Sequence, residues 1–108
     1  MNIKKFTELT DKIIENKIPA ELMKGLNLGI SIIPDTYKDE DCYVMGEYIV
    51  DQMGCSVLLY YGSFSEVLEG EPKDVWIEEI KDTILHELQH HVESLAGEEY
   101  LADLEEEE

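Results

Sequence analysis

Phe6, Leu9, Ile13 and Ile14 recur at helical spacing near the start of the chain, with Thr10 and Asp11 on the polar side. That period predicts a first amphipathic helix. NKIPAELMKGL then reads as a turn into a short second helix, since Pro19 suits a first helical turn and Gly25 an end. In LNLGISIIP the period shortens to two. Leu28, Ile30 and Ile32 alternate with smaller or polar neighbours, which predicts a strand stopped by Pro34. DTYKDEDCY is charged and predicts a loop. YVMGEYIVDQMGCSVLLYYG predicts strand, turn, strand, with bends at Gly46 and Met53-Gly54 and an end at Gly62. SFSEVLEGEP predicts a loop or a single helical turn. A long helix is predicted from Pro72 to about Ala96, with Asp74, Glu78 and Glu79 near its positive end and Gly97 as a stop signal. The remaining EEYLADLEEEE is acidic and reads as short helix or loose end. No repeat or linker divides the chain, so residues 1–108 are expected to form one domain with residues 98–108 as an acidic tail.

The long helix has two unlike faces. With 100° per residue, Ile77, Ile80, Ile84, Leu88 and Leu95 form one narrow stripe, the expected core contact. His86 and His90 fall opposite that stripe, about 40° apart, with Glu93 beside them. Glu87 lies on a flank. His91 falls inside the apolar stripe, so it is expected to be buried and hydrogen-bonded locally, with pairing to Glu87 one turn earlier as the alternative.

Composition sharpens this picture. Acidic residues outnumber basic ones by 26 to 8, a formal net charge of −18. Such a surface repels phosphate backbones, which argues against nucleic acid as a partner, and attracts divalent cations and basic peptides. The start MNIKKFTELTDK lacks the apolar stretch of a signal peptide, and VLLYY is too short to cross a bilayer. Cys42 and Cys55 make neither a metal spacing nor a disulfide framework. A cytoplasmic protein with reduced thiols is therefore expected, without membrane contact.

All three histidines lie in ILHELQHH, residues 84–91. His86 and His90, at i and i+4, can point both rings at one spot, and a zinc ion needs two imidazole nitrogens on one centre. Glu87 directly follows the first ligand and can reach a water held there as general base. A random chain of this length shows HExxH roughly 0.3% of the time, so the spacing alone decides little. Its context decides more: the two ligands sit on a strongly amphipathic helix and face away from its core stripe.

From TILHELQHHVESLAGEEYLADLEEEE outward, the chain resembles the minimal zincin-fold metallopeptidases, small bacterial proteins with an HExxHH helix near the C-terminus. The strongest part runs from His86 through Glu98. The resemblance implies an α+β fold: a small mixed sheet of three to four strands packed against helices, with a long C-terminal active-site helix. It also implies a Zn²⁺ site on His86 and His90 with Glu87 as catalytic base, acting on a peptide or protein substrate. An edge strand would pair with the extended substrate, a role that falls to SVLLYY. Some members of the wider family read HExxHxxGxxD, in which a Gly turns the chain and an Asp supplies the third ligand. Here Glu93 stands where that Gly would be and Ala96 where the Asp would be. The third metal ligand is thus open between Glu93, which leans back over His90 along the helix, and Asp103, Glu98 or Glu99, arriving after a turn at Gly97. An oxyanion donor is open among Tyr60, Tyr61 and Tyr100. Two further functions compete: a non-catalytic zincin-like module that binds metal or peptide, and an acidic cation buffer resting on charge alone. Intact Glu87 favours the enzyme, because metal binding by itself does not need it.

Overall fold

The first helix, α1, spans Ile3–Lys17 and turns Phe6, Leu9 and Ile13 into the core. Asn2 caps it by accepting from the Lys5 amide at 2.9 Å. Thr10 departs from its expected polar side and is 1% exposed. Its hydroxyl donates to the Phe6 carbonyl at 2.8 Å, so the helix itself satisfies the buried oxygen. The expected second helix is a single 3-10 turn, Ala20–Met23. This computed structural model describes the backbone of residues 1–106 and the side chains of residues 1–97.

Five strands follow: β1 Ile30–Ile33, β2 Tyr37–Asp39, β3 Cys42–Val44, β4 Gly46–Asp51 and β5 Gly54–Tyr60. Three of them form a mixed sheet in the order β1-β5-β4, with β1 parallel and β4 antiparallel to β5. The stretch expected to be a charged loop instead carries β2 and β3, an antiparallel ribbon turning at Glu40, whose φ is 56°. Its β2 residues are all exposed, so no apolar alternation announced a strand. SVLLYY also departs from its expected place: β5 is the central strand, and β4 is the edge.

Residues 61–67 form a short helix, α2, Tyr61–Val67, rather than a loop or one turn. Its Phe64 is fully buried against Phe6, ring centroids 5.1 Å apart. The last helix, α3, spans Lys73–Glu106 and so runs through Gly97 without stopping. The core lies between α1, α3 and one face of the sheet. Val57 and Leu59 of β5, Phe6 of α1 and Ile80, Ile84 and Leu88 of α3 are all 0% exposed there. Trp76, outside the expected stripe, joins them at 3%, edge-on to Phe6. Among the described residues, no helix is long and apolar enough to cross a membrane.

Candidate active site on the long helix

Among the described residues of α3, the buried positions are Trp76, Ile80, Ile84, Glu87, Leu88 and His91. Their centre is rotated by roughly 35° from the aliphatic stripe, toward Glu87. The reason is β4, which packs along that flank. Glu87 is consequently 8% exposed, whereas His86 and His90 remain on the open side. The two imidazoles meet edge to face, with centroids 5.0 Å apart. A shallow groove of about 450 Å³ opens beside them, lined by Met45, Gly46, Asp82, Thr83, His86 and Glu87.

Gly46 allows this approach. A Cβ built there would lie 2.8 Å from Thr83 Cγ2 and 3.4 Å from Glu87 Cγ. The missing side chain at Gly46 therefore lets strand and helix come together there. The next helix-facing residue, Tyr48, uses its main-chain N–H to donate to the Glu87 carboxylate. The ladder explains why that N–H is available. Tyr60 N–H donates to the Met45 carbonyl at 2.9 Å, so Met45 and Tyr60 form a hydrogen-bonded pair. By alternation, the main-chain groups of Gly46, Tyr48 and Val50 point away from β5, toward the outer edge.

Burial raises the pKa of Glu87, and the negative charge of Glu47 adds to the rise. The neighbouring His86 and His90 and the Tyr48 N–H pull the other way. A partly desolvated carboxylate with raised proton affinity, beside a groove, has the properties of a general base.

His91 lies buried as expected, at 0% exposure, but its partners are Tyr48 and Lys24 rather than Glu87. Glu93 is exposed. Its carboxylate accepts from Gln89 Nε2 at 3.2 Å and stands 4.0 Å from His90 Nδ1. Among the described residues, no three His, Cys, Asp or Glu side chains gather into a metal-holding group. His86 and His90 are brought together; Glu93 stays close to His90 alone. Asp103, Glu98 and Glu99 lie outside the residues whose side chains are described, as does Tyr100. The Tyr60 hydroxyl donates to Glu47, and burial followed by that bond pushes its pKa up to about 12. The Tyr61 hydroxyl donates to the Met1 carbonyl. Gly46, Tyr48 and Thr83 were not marked as site residues by the sequence. The one available signal was the alternation Gly46, Tyr48, Val50, which puts all three on the same face of a strand.

The sequence profile of the zincin-like metallopeptidases matches residues 37–107. A solved structure of a conserved hypothetical protein from Thermo thermophilus is similar at 33% identity with a TM-score of 0.77, covering 90% of this chain and 99% of that one. No curated protein matches. With more than half its length under the family profile, and with α1, a small mixed sheet and the HExxH helix in place, the chain belongs to the zincin-like metallopeptidase family.

Proposed function

We propose that this protein is a zinc-dependent peptidase. The observation that carries the reading is the division of labour on α3. Two imidazoles stand exposed together over a groove, and the carboxylate between them in sequence is buried and held by the edge of β4. His86 and His90 would hold the metal. When bound, zinc supplies a Lewis acid that lowers the pKa of water toward 7 and polarises a carbonyl. Glu87 accepts the proton of the attacking water and delivers it to the leaving amine. Its raised pKa brings it nearer neutrality, where one group can serve both steps. An extended peptide would lie along the outer edge of β4, where the main-chain groups of Gly46 and Val50 and the Tyr48 carbonyl face outward. This assigns the substrate strand to β4 rather than to β5, to which the family resemblance had assigned it.

Metal content of protein purified without chelator tests the site. Wild type should carry close to one zinc per chain, and the His86→Ala, His90→Ala double variant none. Equal content in both would remove the site. Glu87→Gln should keep the metal and lose cleavage of a peptide library by at least about 100-fold, the scale of a lost general base. The non-catalytic module is the second reading. It draws on the shallow groove and on the ungathered third ligand among the described residues. It prevails if wild type binds zinc and cleaves nothing. Competition titrations of Glu93→Gln and Asp103→Asn separate the third-ligand candidates, since loss of a charged ligand weakens zinc by orders of magnitude and loss of a surface carboxylate does not.

A further inference from the structure

Tyr48 touches α3 twice. Its main-chain N–H donates to Glu87, and its phenol lies 2.8 Å from His91 Nδ1. Glu87 and His91 are one helical turn apart, so a single strand residue grips two successive turns. On its far side His91 Nε2 lies 2.7 Å from the Lys24 carbonyl. A carbonyl can only accept, so Nε2 carries the proton. In the neutral ring Nδ1 is then the acceptor, and the Tyr48 hydroxyl donates to it. The Lys24 carbonyl is held in turn. Gly25, at φ +83°, reverses the chain just after it, and the Gly25 carbonyl accepts from Cys55 Sγ at 3.1 Å.

The network runs from the 3-10 turn through a fully buried imidazole to the edge strand and back onto α3 at Glu87. We propose that His91 and Tyr48 are positioning residues for Glu87: they lock the edge of β4 against α3, so that the Tyr48 N–H holds the base carboxylate in one orientation at the groove. This rests on the peptidase reading for its kinetic consequence, but not for its structural one. Within its sheet β4 is hydrogen-bonded on one side only, to β5. Without the phenol–imidazole bond its outer edge is free to fray, and the N–H leaves the carboxylate. The second His of the HH pair, which has no role as a ligand, thereby acquires one.

Amide hydrogen exchange on metal-free protein tests this, with kinetics on the zinc-loaded protein beside it. Tyr48→Phe removes one oxygen and keeps both the ring and the main-chain N–H. The residue 48 amide should then exchange about tenfold faster, the scale of one lost buried hydrogen bond. The Val57 and Leu59 amides, which face β1, should keep their wild-type protection. His91→Leu should reproduce the effect, and His91→Gln, which retains a donor and an acceptor, should largely restore protection. Glu87→Ala sets the full size of the change. In the peptidase assay, Tyr48→Phe should lower kcat about tenfold with KM and zinc content unchanged. Unaltered exchange at residue 48 overturns the proposal. So does acceleration spread equally over Val57 and Leu59, which would make the network core packing only. If Tyr48→Phe does not fold, the pair His91→Leu and His91→Gln carries the test, and equal exchange at residue 48 in the two counts against the proposal. A wild type without peptidase activity removes the peptidase reading and leaves the exchange result standing alone.

Discussion

Glu87 is the residue where stability and chemistry pull apart. Buried at 8% exposure, its carboxyl holds a proton more tightly in the folded chain than in the unfolded one, where its value is near 4.5. For a group raised in this way, the stabilisation is fully present below the unfolded pKa and is lost as pH rises through the folded pKa. At pH values where the Glu87 carboxyl is ionised, its burial is thus a burden on the fold. Glu87→Gln has no charge to bury and keeps an oxygen for the Tyr48 N–H. In metal-free protein it is expected to raise Tm at pH 7 and to change it little near pH 4. Calorimetry at the two pH values checks this, and an equal shift at both would mean that burial of charge is not what sets the cost. His86 and His90 belong to the opposite class: exposed side chains that cost the fold little and gain meaning only together. That much was legible from their i, i+4 spacing. The depth of Glu87 was not, because a helical wheel drawn from aliphatic residues could not register a strand packing on the flank.

At the level of elements, the α3–β4 contact is the structural decision that makes the groove. Gly46→Ala places a methyl 2.8 Å from Thr83 Cγ2 and 3.2 Å from the Leu58 carbonyl. Overpacking of this kind costs about 1–3 kcal/mol. Thr83→Ser removes that methyl and keeps the hydroxyl's bond to the Glu79 carbonyl, 2.7 Å in the parent. The double variant should recover most of the loss in denaturant titrations; additive losses would place the strain elsewhere, at Leu58. Gly97 makes a second point. The sequence offers it as a helix stop, yet α3 continues through it, and a Cβ there meets nothing within 4 Å. Gly97→Ala should therefore stabilise the protein by about 0.5–1 kcal/mol, the usual helical difference between the two residues. A loss of stability would show instead that the chain needs a glycine turn there.

For the whole molecule, the net charge of −18 is the dominant fact. Of the eight basic residues, only Lys81 forms an ion pair among the described residues, with Glu78 at 3.4 Å. Repulsion among the carboxylates opposes the compact state and is screened over about 10 Å at 0.1 M salt. Raising NaCl from about 10 to 200 mM should raise the Tm of metal-free protein by several degrees. Saturating zinc should raise it separately, by the equivalent of about 2.7 kcal/mol at a hundredfold excess over Kd. A salt response absent in wild type would mean that the acidic surface is already neutralised by bound cations.

Local order determined most of what the sequence could say. The period of Phe6, Leu9 and Ile13, the switch to alternation at Ile30, and the HExxH spacing each lie within one element, where neighbours in the chain are neighbours in space. Those features fixed an α+β chain with a candidate metal pair on its last helix. What the sequence missed depends on which elements meet. A strand's place at edge or centre is set by its partners, so β5, expected at the edge, lies at the centre and β4 takes the edge. The β2–β3 ribbon, wholly exposed on β2, carried no apolar alternation to read. Thr10 looked polar because a wheel cannot see that its hydroxyl is satisfied inside the helix. The joining of Glu87, Tyr48, His91 and Lys24 spans residues as far as 67 positions apart, Lys24 to His91. No periodicity encodes such a contact; only packing α3 against both β4 and the 3-10 turn brings it about.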